Sequence, residues 1–397
     1  MTATSSTALT GLGYATVSPD QLRTLVGRCL GVDLPTVTSV TVARVDYPNA
    51  SIPTGALLRC RGTALIDGQE RGWSIFVKQL QSARVWPMLH TIPEMHRERM
   101  VEGFPWRVEI EAYRSRLPEV LPDGFRLPVI YDVIEIDDDR AAIWMEDVPA
   151  SPGPWTARQF ERAAHGLGVL AGRRPLGTDL RFGRPPENGI PGFGLRMLAF
   201  GRVKVGAGGM LADDALWTHP ALAAALRETG ENTIREELLA AIANVDDWLE
   251  ALDTLPQTYV HGDASPQNLL LPVDDQDTFV VIDFGFNSPQ SVGFDLGQLL
   301  VGLAHSELMD PSDLDDVQRV IVPAYVEGLR STGFDATPEQ VEKGFVLSVL
   351  IRSLFTAIPL EELHQPDSPR LRTLLTSRIR MARHLLDLAA AHRATGA

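Results

Sequence analysis

Asp263, Asn268 five residues later, and Asp283 beyond a turn are two carboxylates and an amide placed at the ends of apolar runs. Residues 269–271 and 279–282 read as short strands, and the cluster Pro272-Val273-Asp274-Asp275-Gln276-Asp277 between them is turn-forming, which predicts a hairpin. With the turn centred between Asp275 and Gln276, Asn268 and Asp283 fall roughly opposite each other at its open end. Cross-strand neighbours lie about 4.5–5.5 Å apart at Cβ, so an amide oxygen and a carboxylate there can share a hard cation. Asp263 then faces the same space from the preceding loop. Such an oxygen-rich group suits Mg²⁺, which keeps positions open for water and substrate phosphates. Phosphoryl transfer asks little more of a protein than one acid to position a hydroxyl and accept its proton.

The order Asp, five residues, Asn, then Asp283-Phe284-Gly285 is that of the catalytic and metal loops of protein kinases, with Gly262 where their His-Arg-Asp triplet has arginine. His261-Gly262-Asp263, Asn268 and the later Asp295-Leu296-Gly297 together resemble the aminoglycoside phosphotransferase and choline kinase superfamily. Each tripeptide alone is common and could be a plain turn; the joint spacing carries the resemblance. It implies ATP and Mg²⁺ as cofactors, Asp263 as the base, Asn268 and Asp283 as metal ligands, and His261 and Asp295 as braces of the catalytic loop.

Elements must bring these groups to a nucleotide. Ser18-Pro19 caps a leading helix with Leu22, Leu25, Val26, Cys29 and Leu30 at helical spacing, and residues up to about Ala15 read as disordered. Strands are expected over 37–45, 56–65 and 72–80, the last two joined by the hairpin signal Asp67-Gly68. Phe76-Val77-Lys78 puts a lysine at the end of an apolar strand, where burial is costly without a partner. The resemblance implies that Lys78 bridges nucleotide phosphates and a glutamate on the helix expected over 106–117. Glu109 is that partner in the Glu-x-x-x-Tyr-Arg pattern, with Glu111 as the fallback. The loop 46–55 would cover the phosphates through Ser51, Thr54 or Gly55, an ordinary surface loop being the plain alternative. A hairpin over 129–133 and 141–145 leads to a Pro-rich linker, the implied hinge, where the carbonyl of Glu146 and the N–H of Val148 would pair with adenine. Segment 81–105 reads as a flap or simple surface.

Beyond the linker, Thr156 caps a helix through Ala171, a Gly/Pro/Arg-rich segment covers 172–209, and further helices are expected over 220–252, 297–307, 314–333, 338–358 and 369–391. The acidic patch Glu307, Asp310, Asp313, Asp315 and Asp316 could attract a cationic substrate or simply be a solvated helix cap.

Composition excludes several classes. A net charge of −15 gives no basic footprint for nucleic acid or an anionic membrane. No run of eighteen apolar residues or secretory segment is found, so a cytoplasmic protein is expected. Cys29 and Cys60 read as free thiols, and the histidines lack zinc spacing. The expectation is an α+β, bilobal protein-kinase-like fold, with residues 1–148 as a small antiparallel-sheet lobe and 149–397 as a mainly helical lobe. The activity expected is γ-phosphoryl transfer to a small-molecule hydroxyl acceptor by a monomer or homodimer. An antibiotic or related secondary metabolite is the first acceptor class, a primary metabolite (an amino alcohol, methylthioribose, homoserine or a sugar) the second. A non-catalytic nucleotide-binding protein is the reading from outside enzymology, and the four intact polar residues argue against it.

Overall fold

Asp67 and Gly68 take positive φ of 49° and 78°, the left-handed pair that a two-residue hairpin turn requires. They join β2 (Thr54–Ile66) to β3 (Gln69–Gln81). A computed structural model describes residues 9–46, 51–150, 154–177 and 193–395. The chain divides into two units: Met1–Ser115 with Leu127–Ala150 and Pro272–Asp274, and Arg116–Arg126 with Ser151–Leu271 and Asp275–Ala397.

In the first unit β1 (Thr36–Arg44), β2, β3, β5 (Ile130–Asp137) and β6 (Arg140–Glu146) form an antiparallel sheet in the order β1-β2-β3-β6-β5. The helix α1 (Pro19–Leu30) has the full reciprocal cap of Ser18 and Gln21, and Gly31 ends it at φ 68°. Its Leu22, Leu25 and Val26 bury against Cys60, Ile75, Val77 and Trp144 of the sheet. Residues 9–15 correct the expected disorder: Thr10–Ala15 is a short 3₁₀ turn, with Leu9, Leu12 and Ala15 in the same core. The Tyr14 hydroxyl donates to the carbonyl of Leu80 at 3.2 Å. Those three apolar residues share a face at a spacing of three, which Gly11 and Gly13 obscure in the sequence. Segment 81–105 folds as 3₁₀ turns and α2 (Glu94–Gly103), whose described side chains are exposed or half-buried. The short α3 (Val108–Arg114) follows it. Both cysteines are free thiols.

The second unit is helical, with two small sheets. The strand β4 (Phe125–Arg126) runs parallel to β9 (Phe279–Val281), which pairs antiparallel with β8 (Leu269–Leu270). The strand β7 (Gln257–Val260) pairs with β10 (Ser288–Ser291). The helices are α4 (Ala157–Gly172), α5 (Phe193–Leu198), α6 (Gly208–Ala212), α7 (Asp214–Trp217), α8 (Pro220–Thr229), α9 (Ile234–Ile242) and α10 (Val245–Asp253). They continue with α11 (Phe294–His305), α12 (Leu314–Ser331), α13 (Pro338–Ser353) and α14 (Pro369–Thr395), while Ala199–Ala207 is π-helical. The helices α4 and α12 cross closely because a Cβ on Gly328 would lie 2.1 Å from the carbonyl oxygen of His165. Stretch Pro338–His364 has the length and composition to cross a membrane, and 83% of its apolar window is buried inside the protein, as in a core helix. Residues 151–153 of the linker and 178–192 of the Gly/Pro/Arg-rich segment lie outside the described residues.

Candidate active site

In the first unit, β3 delivers Lys78 opposite Leu57 and Ile143 of its two neighbouring strands. Its Nζ lies 2.6 Å from Oε2 of Glu109 on α3, and the two side chains are only 7% and 3% exposed. The other oxygen of Glu109 accepts the Tyr113 hydroxyl at 3.2 Å. A charge this deep demands a counter-charge with its lone pairs occupied, and Glu109 meets both conditions. Glu111 is exposed on the other face of the helix, which decides between the two glutamates. Thr54 opens β2, its N–H donating to the carbonyl of Ser51 at 3.2 Å. Residues 47–50 of that loop lie outside the described residues. Glu146 ends β6; its N–H donates to Val129 at 2.8 Å, and its Oε2 accepts the Val129 N–H at 3.0 Å. Val148, two residues on, is half-buried, and its N–H has no hydrogen-bond partner among the described residues.

In the second unit, the loop after β7 is pinned at His261, Gly262 and Asp263. Both oxygens of Asp295, at the start of α11, accept backbone N–H groups at 2.9 Å, one from His261 and one from Gly262. Asp295 is 1% exposed. Burial pushes its carboxyl upward, while His261 and the two N–H groups oppose that shift. The fully buried ring of His261 has Nε2 at 2.9 Å from the Ile282 carbonyl and accepts the Asp263 N–H on Nδ1 at 3.2 Å. Those partners assign the Nε2–H tautomer. Gly262 has φ 90°, and a Cβ there would sit 2.1 Å from the carbonyl oxygen of Phe286. Only glycine fits this conformation and this approach, which accounts for the missing arginine of the kinase triplet.

Asp263 is thereby turned partly to solvent, its side chain 23% exposed. Asn268 closes the loop: its Nδ2 donates to the carbonyl of Asp263 at 2.8 Å and to Oδ2 at 3.1 Å. With the amide nitrogen so committed, Oδ1 is the end left for a cation. The hairpin forms, with its register one residue from the expected one. Leu269 faces Val281, and the Ile282 N–H donates to Asn268 at 3.0 Å. Asn268 is therefore opposite Ile282, and Asp283 follows it at a left-handed φ of 60°. The loop of six polar and turn-forming residues has no single tight turn to fix its centre, so a shift by one costs nothing visible in the sequence.

Arg352 escapes sequence reading altogether. From the last turn of α13 its Nη2 reaches Oδ1 of Asp263 at 2.7 Å, and its Nη1 donates to the carbonyl of Gly262. The guanidinium lies over the rings of Phe286 and Phe294, at 5.5 and 5.7 Å from their centroids. It comes from 89 residues downstream, and nothing local marks it among the arginines of a helix.

The acidic patch is largely committed. Glu307 pairs with Arg370 and Asp316 with Arg319. Asp315 reaches Nδ1 of His384 at 3.1 Å, and Asp310 caps Ser312 at 2.9 Å. Asp310, Asp313 and Asp316 rim a shallow cavity of about 350 Å³ floored by Trp155, Phe160 and Val317.

A five-stranded antiparallel sheet carrying a buried Lys–Glu pair, and a helical unit carrying a pinned Asp loop before an Asp-Phe-Gly turn, define a protein-kinase-like α+β phosphotransferase. Residues 104–320, more than half of the chain, match the model of the phosphotransferase enzyme family, APH, and the chain belongs to that family. It is a small-molecule kinase. Among solved structures it is similar to an aminoglycoside phosphotransferase from Alicyclobacillus acidocaldarius, with 16% identity over 97% of this chain and 98% of the other, at a TM-score of 0.50. A choline kinase from Cryptosporidium parvum matches at 12% identity, over 90% and 91% of the two chains, at a TM-score of 0.44. A spectinomycin phosphotransferase solved with ADP and spectinomycin matches at 12% identity, over 95% and 99%, at 0.45. No curated protein matches the sequence.

Proposed function

We propose that the chain transfers the γ-phosphoryl group of ATP to a hydroxyl of a small molecule, with Asp263 accepting the hydroxyl proton. The observation that carries this is the state of Asp263: partly exposed, its backbone fixed by His261 and Asn268, and one carboxylate oxygen steadied by Arg352. A general base needs this combination of fixed geometry and access to substrate. Lys78, held by Glu109, orients nucleotide phosphates. The carbonyl of Glu146 and the N–H of Val148 receive adenine, and Ser51 and Thr54 stand at the phosphate-covering loop. In this reading residues 1–148 serve the nucleotide and 149–397 the base and the acceptor.

The donor set fits Mg²⁺. No group of three His, Cys, Asp or Glu side chains is assembled among the described residues, which therefore offer no complete cage of such ligands. Asn268 Oδ1 and Asp283 supply the one or two hard oxygens that Mg²⁺ takes from a protein when phosphates complete its shell. Bound there, the ion neutralises charge on the transferred group. Asp295 and His261 take no part in proton transfer, since their polar atoms are spent on the loop.

An antibiotic or related secondary metabolite is the first acceptor class, with drug resistance as its consequence and the cytoplasm, where ATP is made, as its place. A primary metabolite is the second, and a specific observation favours it: most of the acidic patch that would greet a polycationic drug is engaged in caps and ion pairs. ADP release across an acceptor panel, with phosphorus NMR of the product, decides. Asp263→Asn should lose about 10²–10⁴ in turnover while still binding ATP; full turnover in that variant would refute the assignment of the base.

A further inference from the structure

Lys78 is followed on β3 by two glutamines at alternate positions, Gln79 and Gln81, which share the face of the sheet opposite to the lysine. They are 5% and 7% exposed, and a buried carboxamide is costly without partners. Gln79 Nε2 donates to the carbonyl of Leu12. Gln81 Nε2 donates to the carbonyl of Ile52 at 3.2 Å, and its N–H to the carbonyl of Pro53 at 2.8 Å. The end of the lysine strand therefore holds two segments at once: residues 9–15, and the run from Ser51 into β2.

Tyr14 ties those two segments to each other. Its hydroxyl donates to the carbonyl of Leu80 at 3.2 Å, and Leu80 faces Thr54 across the ladder. Between Thr54 and Ala56 the register slips by one residue, so Gly55 is a bulge, two residues before Leu57, the partner of Lys78. A Cβ on Gly55 would stand 2.3 Å from the Tyr14 hydroxyl oxygen and 3.2 Å from Oε1 of Gln81. The phenol thus fills the notch that the absent side chain leaves. Tyr14 is itself firmly held. Gly13 turns the chain before it at φ 53°, Leu12 and Ala15 on either side are fully buried, and the Arg140 guanidinium lies 5.7 Å from its ring centroid. Burial keeps the hydroxyl protonated far above the ordinary tyrosine range, so it remains a donor. Bulges beside active sites aim the residues around them, and the hydroxyl of Tyr14 sets how this one is seated.

We propose that Tyr14 is a positioning residue for the nucleotide phosphates: by filling the Gly55 notch it fixes the entry into β2, and with it Ser51 and Thr54, relative to Lys78. This rests on the reading of residues 1–148 as the nucleotide unit. The segment ahead of α1 is then part of the nucleotide site rather than a tail.

The test is titration of the full chain with a fluorescent, non-hydrolysable ATP analogue in the presence of Mg²⁺, and displacement of that analogue by adenosine, which carries no phosphate. Tyr14→Phe removes one hydrogen bond and keeps the ring. It should weaken the analogue about three- to tenfold, the usual effect of such a loss, and leave the affinity for adenosine unchanged. In ADP release the same variant should raise the KM for ATP by that factor at constant kcat. Gly55→Ala drives a methyl group into the hydroxyl and should weaken the analogue at least as much, and adding Tyr14→Phe to it should cause no further loss because the notch is already spoiled. Leu25→Ala opens a cavity in the core beneath α1 and lowers Tm; well below its melt it should bind both ligands as the parent does, which separates positioning from stability. Unchanged affinity of Tyr14→Phe for the analogue, an equal loss for adenosine, a selective loss of the analogue in Leu25→Ala, or losses that multiply in the double variant would each overturn the role of Tyr14 and leave the nucleotide reading intact. A parent protein that binds neither ligand would strike the nucleotide reading and the proposal together.

Discussion

Arg352 Nη2 and Asp263 Oδ1 are 2.7 Å apart, joined across 89 residues of chain. The arginine also holds the carbonyl of Gly262, so it fixes both the carboxylate and the peptide that carries it. Arg352→Met should lower kcat by about tenfold or more with little change in the KM for nucleotide, and destabilise the fold by about 2–3 kcal/mol in urea unfolding. Arg352→Lys keeps the charge and loses the fork, so recovery of stability with poor kcat would separate positioning from simple charge.

Lys78 and Glu109 form a buried pair of 2.6 Å. Glu109→Gln strands the ammonium and should cost about 3–5 kcal/mol. Lys78→Met combined with Glu109→Leu should regain much of that loss and still fail in ATP turnover. A double-mutant cycle in urea measures the coupling; additive single effects would show that the pair contributes nothing beyond its members.

Gly262 cannot accept a side chain. Gly262→Ala meets both a φ of 90° and a contact of 2.1 Å with Phe286, and should destabilise by about 3 kcal/mol or more. A thermal melt within a degree of the parent would show that the loop relaxes freely.

His305 gives the acid limb of stability a defined window. Its folded value of about 4 lies below the ordinary 6.5, so the unfolded chain binds a proton first. Stability is therefore full above about pH 6.5 and declines as pH falls toward 4, by on the order of 1–3 kcal/mol. The causes are burial, then the guanidinium groups of Arg378 and Arg202. His305→Gln should flatten urea midpoints between pH 6.5 and 4.5.

Much of this was legible in the sequence because it is local. A lysine ending an apolar strand, a glutamate four residues before a tyrosine, Asp-Gly between strands and Ser-Pro before a periodic run each constrain their own neighbourhood. What was not legible is long-range or finely registered. Arg352 and Arg378 are ordinary arginines on helices until tertiary packing turns them inward. The hairpin of β8 and β9 follows from its apolar runs, but its register depends on a loop without a tight-turn signature. Leu9, Leu12 and Ala15 form one apolar face over too few residues, broken by two glycines, for a period to emerge. The acidic patch looks like a site in one dimension, and the fold spends most of it on caps and pairs.

The imidazole of His261 is a strut rather than a proton carrier. One nitrogen is fastened to the peptide before Asp263 and the other to the peptide before Asp283, so neither loop can drift without dragging the other. Enzymes that open to exchange nucleotide and product risk losing alignment at every cycle. Here the two acids travel as one rigid piece, and any motion that admits or releases a ligand has to hinge somewhere outside it.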